Sequence, residues 1–157
     1  MQDKPLILIT NDDGITAPGL RALIRIMNKI GEVVVVAPDS PQSGMGHAIT
    51  MNNPLRVTEV SIFDGVKAYQ VNGTPVDCVK LALDKLVDRK PDLMVSGINH
   101  GSNASINVIY SGTMSAAVEA SIDHMPAIGF SLCDFAHDAD FDHTREFINK
   151  IANEALS

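Results

Sequence analysis

A chain of 157 residues that is 45% apolar and has no low-complexity tract is long enough to bury one substantial core, which predicts a single domain over residues 1–157. Twelve basic against nineteen acidic residues give a formal charge of −7, which argues against a protein that coats nucleic acid or binds membranes through a polybasic face. A phosphorylated ligand would have to meet positive potential concentrated at one point, from a divalent cation or a helix N-terminus.

The stretch from Met1 to Thr10 passes from a polar tail straight into a β-like run, without the organisation of a signal peptide, and no apolar run reaches the length of a membrane span. Cys78 and Cys133 stand outside any CxxC pair, the pattern of idle thiols in a reducing compartment rather than of a disulfide framework, so a cytoplasmic location is expected.

In chain order, Leu6 to Thr10 is continuously apolar, which predicts a strand buried on both faces that ends in the turn Asn11-Asp12-Asp13-Gly14. A helix follows, with Pro18 in its first turn, Leu20, Leu23, Ile24, Met27 and Ile30 at helical spacing, and Gly31 at the C-terminal cap. Val33 to Val36 forms a second strand, and strand, helix and strand in succession predict a right-handed βαβ unit and a parallel sheet. Residues 38–66 are less regular: Asp39 to Gly46 is a loop, and Asn52-Asn53-Pro54 is expected to turn between two short peripheral strands. The rhythm returns with a strand at Lys67 to Val71 and a helix capped by Thr74 with Pro75 in its first turn, burying Val79, Ala82, Leu83 and Leu86. Next come a strand from Asp92 to Ser96, a long Gly/Asn/Ser loop to about Gly112, a small-residue helix from Thr113 to His124 and a strand from Ala127 to Leu132. A last helix, from about Asp142, carries Phe147, Ile148, Ile151 and Leu156 and is still running at Ser157. Its apolar side needs a surface to cover, so the chain is expected to be an N-terminal piece of a longer protein.

Asp12 and Asp13 directly follow the first strand, and open parallel sheets place their ligand crevice outside the carboxyl ends of the strands. A turn relaxed at Gly14 lets both carboxylates approach one ion. Hard oxygen ligands without adjacent His or Cys favour Mg²⁺ or Mn²⁺ over structural zinc. The same Asp-Asp-Gly sequence serves equally as a turn in which a carboxylate caps backbone amides. Ser40 to Gly46 and Ser96 to Asn103 would emerge at the same sheet edge and offer neutral oxygens and backbone amides, although runs of this composition are turns in most proteins. Tyr110-Ser111-Gly112-Thr113 opens a helix whose free amides and dipole suit a phosphate, while the plainer reading has Ser111 or Thr113 only capping the helix; the two uses coexist. The cluster from His137 to His143 reads as an acidic approach to a helix rather than as a metal site, and His47 and His100 flank the crevice as proton carriers or polar lining.

The order and wording of these segments resemble the SurE survival-protein family of 5′-nucleotidases from near the N-terminus through about Leu132. The resemblance rests on Ile9-Thr-Asn-Asp-Asp-Gly14, Ala17-Pro-Gly-Leu20, Val36-Ala-Pro38, Gln42-Ser-Gly44, Gly73-Thr-Pro75 with Asp77-Cys-Val79, Ser96-Gly-Ile-Asn99 and Tyr110-Ser-Gly-Thr113. It implies that Asp12, Asp13, Ser43 and Asn99 bind one divalent ion, Mg²⁺ or Mn²⁺, and that Asn103, Ser111, Gly112 and Thr113 surround the phosphate. The catalytic set is then Asp12, Asp13, Asn99, Asn103 and Ser111. The implied reaction is metal-assisted attack of water on a nucleoside 5′-monophosphate, with hydroxyls and amides stabilising the developing charge and no covalent phosphoenzyme. The resemblance further implies a three-layer α/β/α, Rossmann-like, mostly parallel mixed sheet. It also implies a homodimer or homotetramer of a longer protein, with no nucleic-acid duplex and no membrane as partner. Two other classes compete. An aspartyl-phosphate phosphatase or receiver-like domain would need a lysine at a later strand end, and none follows Ser96 or Ser131. A degenerate nucleotide-binding module would keep the fold without turnover, and hydrolysis separates it from an enzyme.

Overall fold

The structure, a computed structural model, describes residues 4–136 and 138–157, so His137 of the acidic cluster lies outside the described residues. Strand β1 (Leu6–Thr10) is buried along its whole length because it runs parallel between β2 (Glu32–Pro38) and β5 (Leu93–His100), with helices above and below. Each fully buried Ile or Leu contributes about 1.5–3 kcal/mol over its exposed form, so the apolar run that marks β1 in the sequence also anchors the sheet. The sheet is completed by β3 (Val57–Glu59), β4 (Lys67–Val71) and β6 (Ala127–Leu132) in the order β3-β4-β2-β1-β5-β6; only β3, on the edge, runs antiparallel.

Alternation along the strands divides the core into two layers. Ile7, Ile9, Val33, Val35, Leu93 and Val95 face α1 (Pro18–Met27) and α4 (Arg145–Ala155), which add Leu20, Leu23, Met27, Ile148 and Ala152. Leu6, Leu8, Val34, Val36 and Met94 face α2 (Pro75–Leu81) and α3 (Gly112–Ile122), which add Cys78, Val79, Ala116, Ala117 and Ala120. The result is the expected three-layer α/β/α arrangement. From β1 the chain winds outward through β2 to β4 on one side and returns to β5 and β6 on the other. The change of direction falls between β1 and β5, where Thr10 stands opposite Ser96, and a crevice opens at such a switch point. No described helix is long and apolar enough to cross a membrane.

Several elements differ from the sequence-based expectation. Helix α1 ends at Met27, whose carbonyl then accepts from the amides of Ile30 and Gly31 in a closing turn. Residues 38–66 hold one strand, not two: the stretch before Asn52 stays irregular because Ala48 and Thr50 bond to side chains of Thr74 and Asp77 instead of to a neighbouring strand. Helix α2 has the capping box written in its sequence, with Thr74 accepting from the Asp77 amide and the Asp77 carboxylate accepting from the Thr74 amide, but it continues as a π-helical turn at Ala82–Leu86. Strand β5 extends past Ser96 to His100, pairing Asn99 with Ser131 after a register shift, and a 3₁₀ turn spans Ser105–Tyr110 within the expected loop. Helix α4 covers α1 with Ile148, Ala152 and Leu156, assisted by an Arg25 to Asp142 ion pair of 3.1 Å, and leaves Phe147 and Ile151 exposed.

Gly19 lets α1 press onto β5, since a Cβ there would overlap the carbonyl oxygen of Ile98, a backbone atom that cannot swing away. Gly19→Ala is therefore expected to lower the unfolding free energy by about 1–3 kcal/mol, read from urea denaturation at unchanged slope.

Candidate active site

The turn after β1 is built by its own residues. The Asn11 side-chain amide donates to the Gly14 carbonyl at 2.9 Å, and Gly14 takes φ +96°, a backbone state that side chains other than hydrogen rarely allow. The loop after β2 grips the same turn: the Ile15 amide donates to Pro38 at 2.8 Å, and the Gln42 amide to the Asp12 carbonyl at 2.7 Å. Asp12 is thereby buried and Asp13 half-buried at the crevice.

Asp12 meets the N-terminus of α3. The Thr113 hydroxyl donates to Asp12 Oδ1 at 2.6 Å, and a Cβ on Gly112 would stand only 2.8 Å from the Asp12 Cβ. Ser111 caps the helix, its hydroxyl oxygen accepting from the Met114 amide at 3.0 Å. That role leaves the Ser111 hydroxyl proton, together with the first amides of α3, free of the helix ladder. On the other side of the crevice the Asp13 carboxylate accepts from the His100 amide at 3.3 Å, which ties it to the end of β5. Burial, and then the charge of Asp12, raise the Asp13 carboxyl above its ordinary range, with the His100 amide acting in the opposite sense.

The other sequence-predicted residues are carried by β5, the loop after it and the loop after β2. Asn99 is buried on β5 and donates its amide nitrogen to the Gly101 carbonyl at 2.7 Å, which leaves its side-chain oxygen as the group able to ligate. Asn103 is oriented by a 2.9 Å bond to the hydroxyl of Ser131 on β6. Ser43 lies exposed at the tip of the loop after β2, next to Gly44, whose surroundings are open. Neither histidine side chain makes a hydrogen bond to the aspartates, although the charge of His100 acts on Asp13. His100 stands edge-on to Phe141 with a buried, unpartnered Nε2, and His47 bonds Glu119 at 2.8 Å. In the described part of the acidic cluster, Asp140 accepts from the Asp142 amide and Asp142 pairs with Arg25, so these side chains start the last helix and fasten it to α1.

A divalent cation fits the donor set. Two neighbouring carboxylates, one of them raised by burial and then by the charge of the other, lie on one turn that neutral amide and hydroxyl oxygens come near, the ligand chemistry that hard cations take. Among the described residues no group of three or more His, Cys, Asp or Glu is placed to hold a metal. The side-chain oxygens of Asn11, at the end of β1, and of Ser96, on the facing strand, are buried without a partner. The sequence did not single out Ser131 or Glu119. A lone serine in an apolar strand was a faint signal for the first, and a glutamate in a helix otherwise made of small residues for the second.

Comparison with known proteins shows the family and the fold. The family model for survival protein SurE matches residues 7–157. A 5′-nucleotidase SurE from Flavobacterium johnsoniae is 64% identical over 155 residues, 98% of this chain and 60% of that protein. Its counterpart from Cytophaga hutchinsonii is 62% identical over 155 residues, with the same coverage. The crystal structure of the SurE protein from Aquifex aeolicus matches with a TM-score of 0.86 at 38% identity, covering 97% of this chain and 60% of that one. The chain thus spans about 60% of the length of these relatives.

The raised Asp13 carboxyl has a consequence for stability. An acid raised on folding costs nothing below the ordinary carboxylate range, and its cost grows as pH rises through the folded-state pKa. At neutral pH and without metal, Asp13→Asn should therefore melt at a higher temperature than the parent, with the two curves converging at low pH. A parent that melts at or above the variant at neutral pH in EDTA would contradict this.

Proposed function

The chain belongs to the SurE family, and from that premise we propose that its crevice hydrolyses nucleoside 5′-monophosphates to nucleoside and phosphate with the help of one divalent cation. The observation that carries this reading is the junction of Asp12 with the start of α3, which sets a carboxylate suited to a cation beside amides suited to a phosphate.

Asp12, Asp13, Ser43 and Asn99 would hold Mg²⁺ or Mn²⁺, which supplies Lewis-acid polarisation and a water of lowered pKa. The protein's own groups do the remaining work. The amides of Gly112 and Thr113 and the Ser111 hydroxyl receive the phosphoryl oxygens, and they are fixed before substrate arrives because the helix cap is already made. Thr113 contributes through its amide, since its hydroxyl is committed to Asp12. Asn103, braced by Ser131, would use its remaining amide proton to help orient the phosphoryl group for in-line attack. The engaged Oδ1 of Asp12 favours attack by water over attack by this carboxylate. The reading includes a cytoplasmic protein, which the free thiols of Cys78 and Cys133 suit. It also includes a homodimer or homotetramer, supported by exposed apolar side chains such as Ile106, Ile109, Phe135 and Phe147.

The direct test is phosphate release from a panel of nucleoside 5′-monophosphates, before and after EDTA and again with Mn²⁺ or Mg²⁺ restored. Release that stops with EDTA and returns with metal is expected; release indifferent to EDTA, or none from the folded protein, refutes the proposal. Asp13→Asn should abolish Mn²⁺ binding in calorimetry without unfolding the chain. Thr113→Val leaves a buried Asp12 oxygen unpaired, so without metal the folded chain should lose about 1–3 kcal/mol of stability in urea denaturation, and added Mn²⁺ should restore part of it.

A further inference from the structure

The loop that carries Ser43 has no regular structure of its own, so other elements must fix its position. Its early part hangs on backbone bonds: the Asp39 amide to Val71 at 2.8 Å, the Gln42 amide to Asp12 at 2.7 Å and the Gly46 amide to Tyr110 at 3.2 Å. Its later part is held by side chains. The Thr74 hydroxyl donates to Ala48 at 2.7 Å, and the Asp77 carboxylate accepts from the amide and hydroxyl of Thr50 at 3.1 and 2.6 Å. Between these two parts stands His47, whose Nε2 lies 2.8 Å from Glu119 Oε2.

Glu119 differs from an ordinary surface ion-pair partner. Its side chain is 7% exposed, and its second oxygen takes a 2.8 Å contact from Lys80, which is itself 56% exposed. Exposed bridges are worth little, whereas a buried carboxylate with both oxygens engaged fixes geometry. Glu119 sits on α3 about two turns after Gly112 and on the same face, so it belongs to the rigid body that ends at the anion-binding amides. Its partners come from two other elements, His47 from the loop after β2 and Lys80 from α2.

We infer that Glu119 is a positioning residue of the metal site: through His47 it pins the Ser43 loop to α3, so that the loop ligand and the phosphate-binding helix end keep one spacing. This rests on the reading of Ser43 as a metal ligand. Burial alone would raise the Glu119 carboxyl, but hydrogen bonds from Lys80 and His47 outweigh it and hold the group below the ordinary range, so the clamp is charged at neutral pH.

The test combines hydrogen exchange over residues 40–50 with calorimetric Mn²⁺ titration of the parent, Glu119→Gln, Glu119→Ala and His47→Ala. Loss of a charge-assisted contact should speed exchange in the loop and weaken Mn²⁺ by about tenfold in Glu119→Ala, with β1 and β5 exchanging as in the parent. Glu119→Gln, which keeps one acceptor, should lie between. His47→Ala should copy the loop effect, and the double variant should be no worse than Glu119→Ala. Loop exchange unchanged in both Glu119 variants overturns the inference, as does an equal rise across β1 and β5, the signature of a merely structural carboxylate. A parent that binds no Mn²⁺ would instead refute the metal reading, and the exchange comparison would still decide whether Glu119 clamps the loop.

Discussion

A carboxylate pressed against the start of a helix governs how this molecule is put together. Asp12 leaves the central strand where α3 begins, and the two are in contact at Gly112 and Thr113. For that to happen α3 must sink close to the sheet, which its row of Ala116, Ala117 and Ala120 permits, and Gly112 must carry no side chain. Taking a carboxylate out of water is costly; here the Thr113 hydroxyl and the positive end of the helix offset part of that cost. Asp13 has no such helix and has only the amide of His100 against its burial and the charge of Asp12, so its carboxyl is raised. The cation proposed for this site would relieve that cost, so the raised carboxyl and the proposed metal site would have one origin.

The same contact resolves an apparent contradiction between an acidic protein and the anionic substrate proposed for it. With a formal charge of −7, the surface as a whole repels phosphate. A helix end acts over a few ångströms, where bulk charge is screened and desolvated amides are strong. Attraction is therefore confined to one crevice, and the rest of the surface discourages nonspecific binding of polyanions.

What could be read from the sequence followed how local the cause was. Strand β1 announced itself because two-sided burial demands an unbroken apolar run, and the α2 cap because Thr74 and Asp77 complete it within one turn. The end of β5 was hidden, since Gly97 and Asn99 are turn formers by composition and only pairing with Ser131 on β6 makes them strand. The missing peripheral strand before Asn52 was hidden for the converse reason: side chains of Thr74 and Asp77, distant in sequence, satisfy that stretch. At the site, the wording of the loops pointed to Asp12, Asp13, Asn99 and Ser111. It could not show that Thr113 spends its hydroxyl on Asp12, that Ser131 braces Asn103, or that Glu119 reaches back to His47. Those are choices of partner through space, and no periodicity encodes them.

The distance along the chain between Asp12 and Thr113, 101 residues, bears on how the molecule is made. Contacts of such separation form late, because the loop they close must be ordered before they return any free energy. A chain emerging from synthesis exposes its acidic turn long before the helix that completes the crevice exists. An incomplete chain therefore lacks the Asp12–Thr113 junction on which the proposed chemistry rests. On that proposal, activity would arise only when two distant segments have found each other, which would make it a reporter of finished folding.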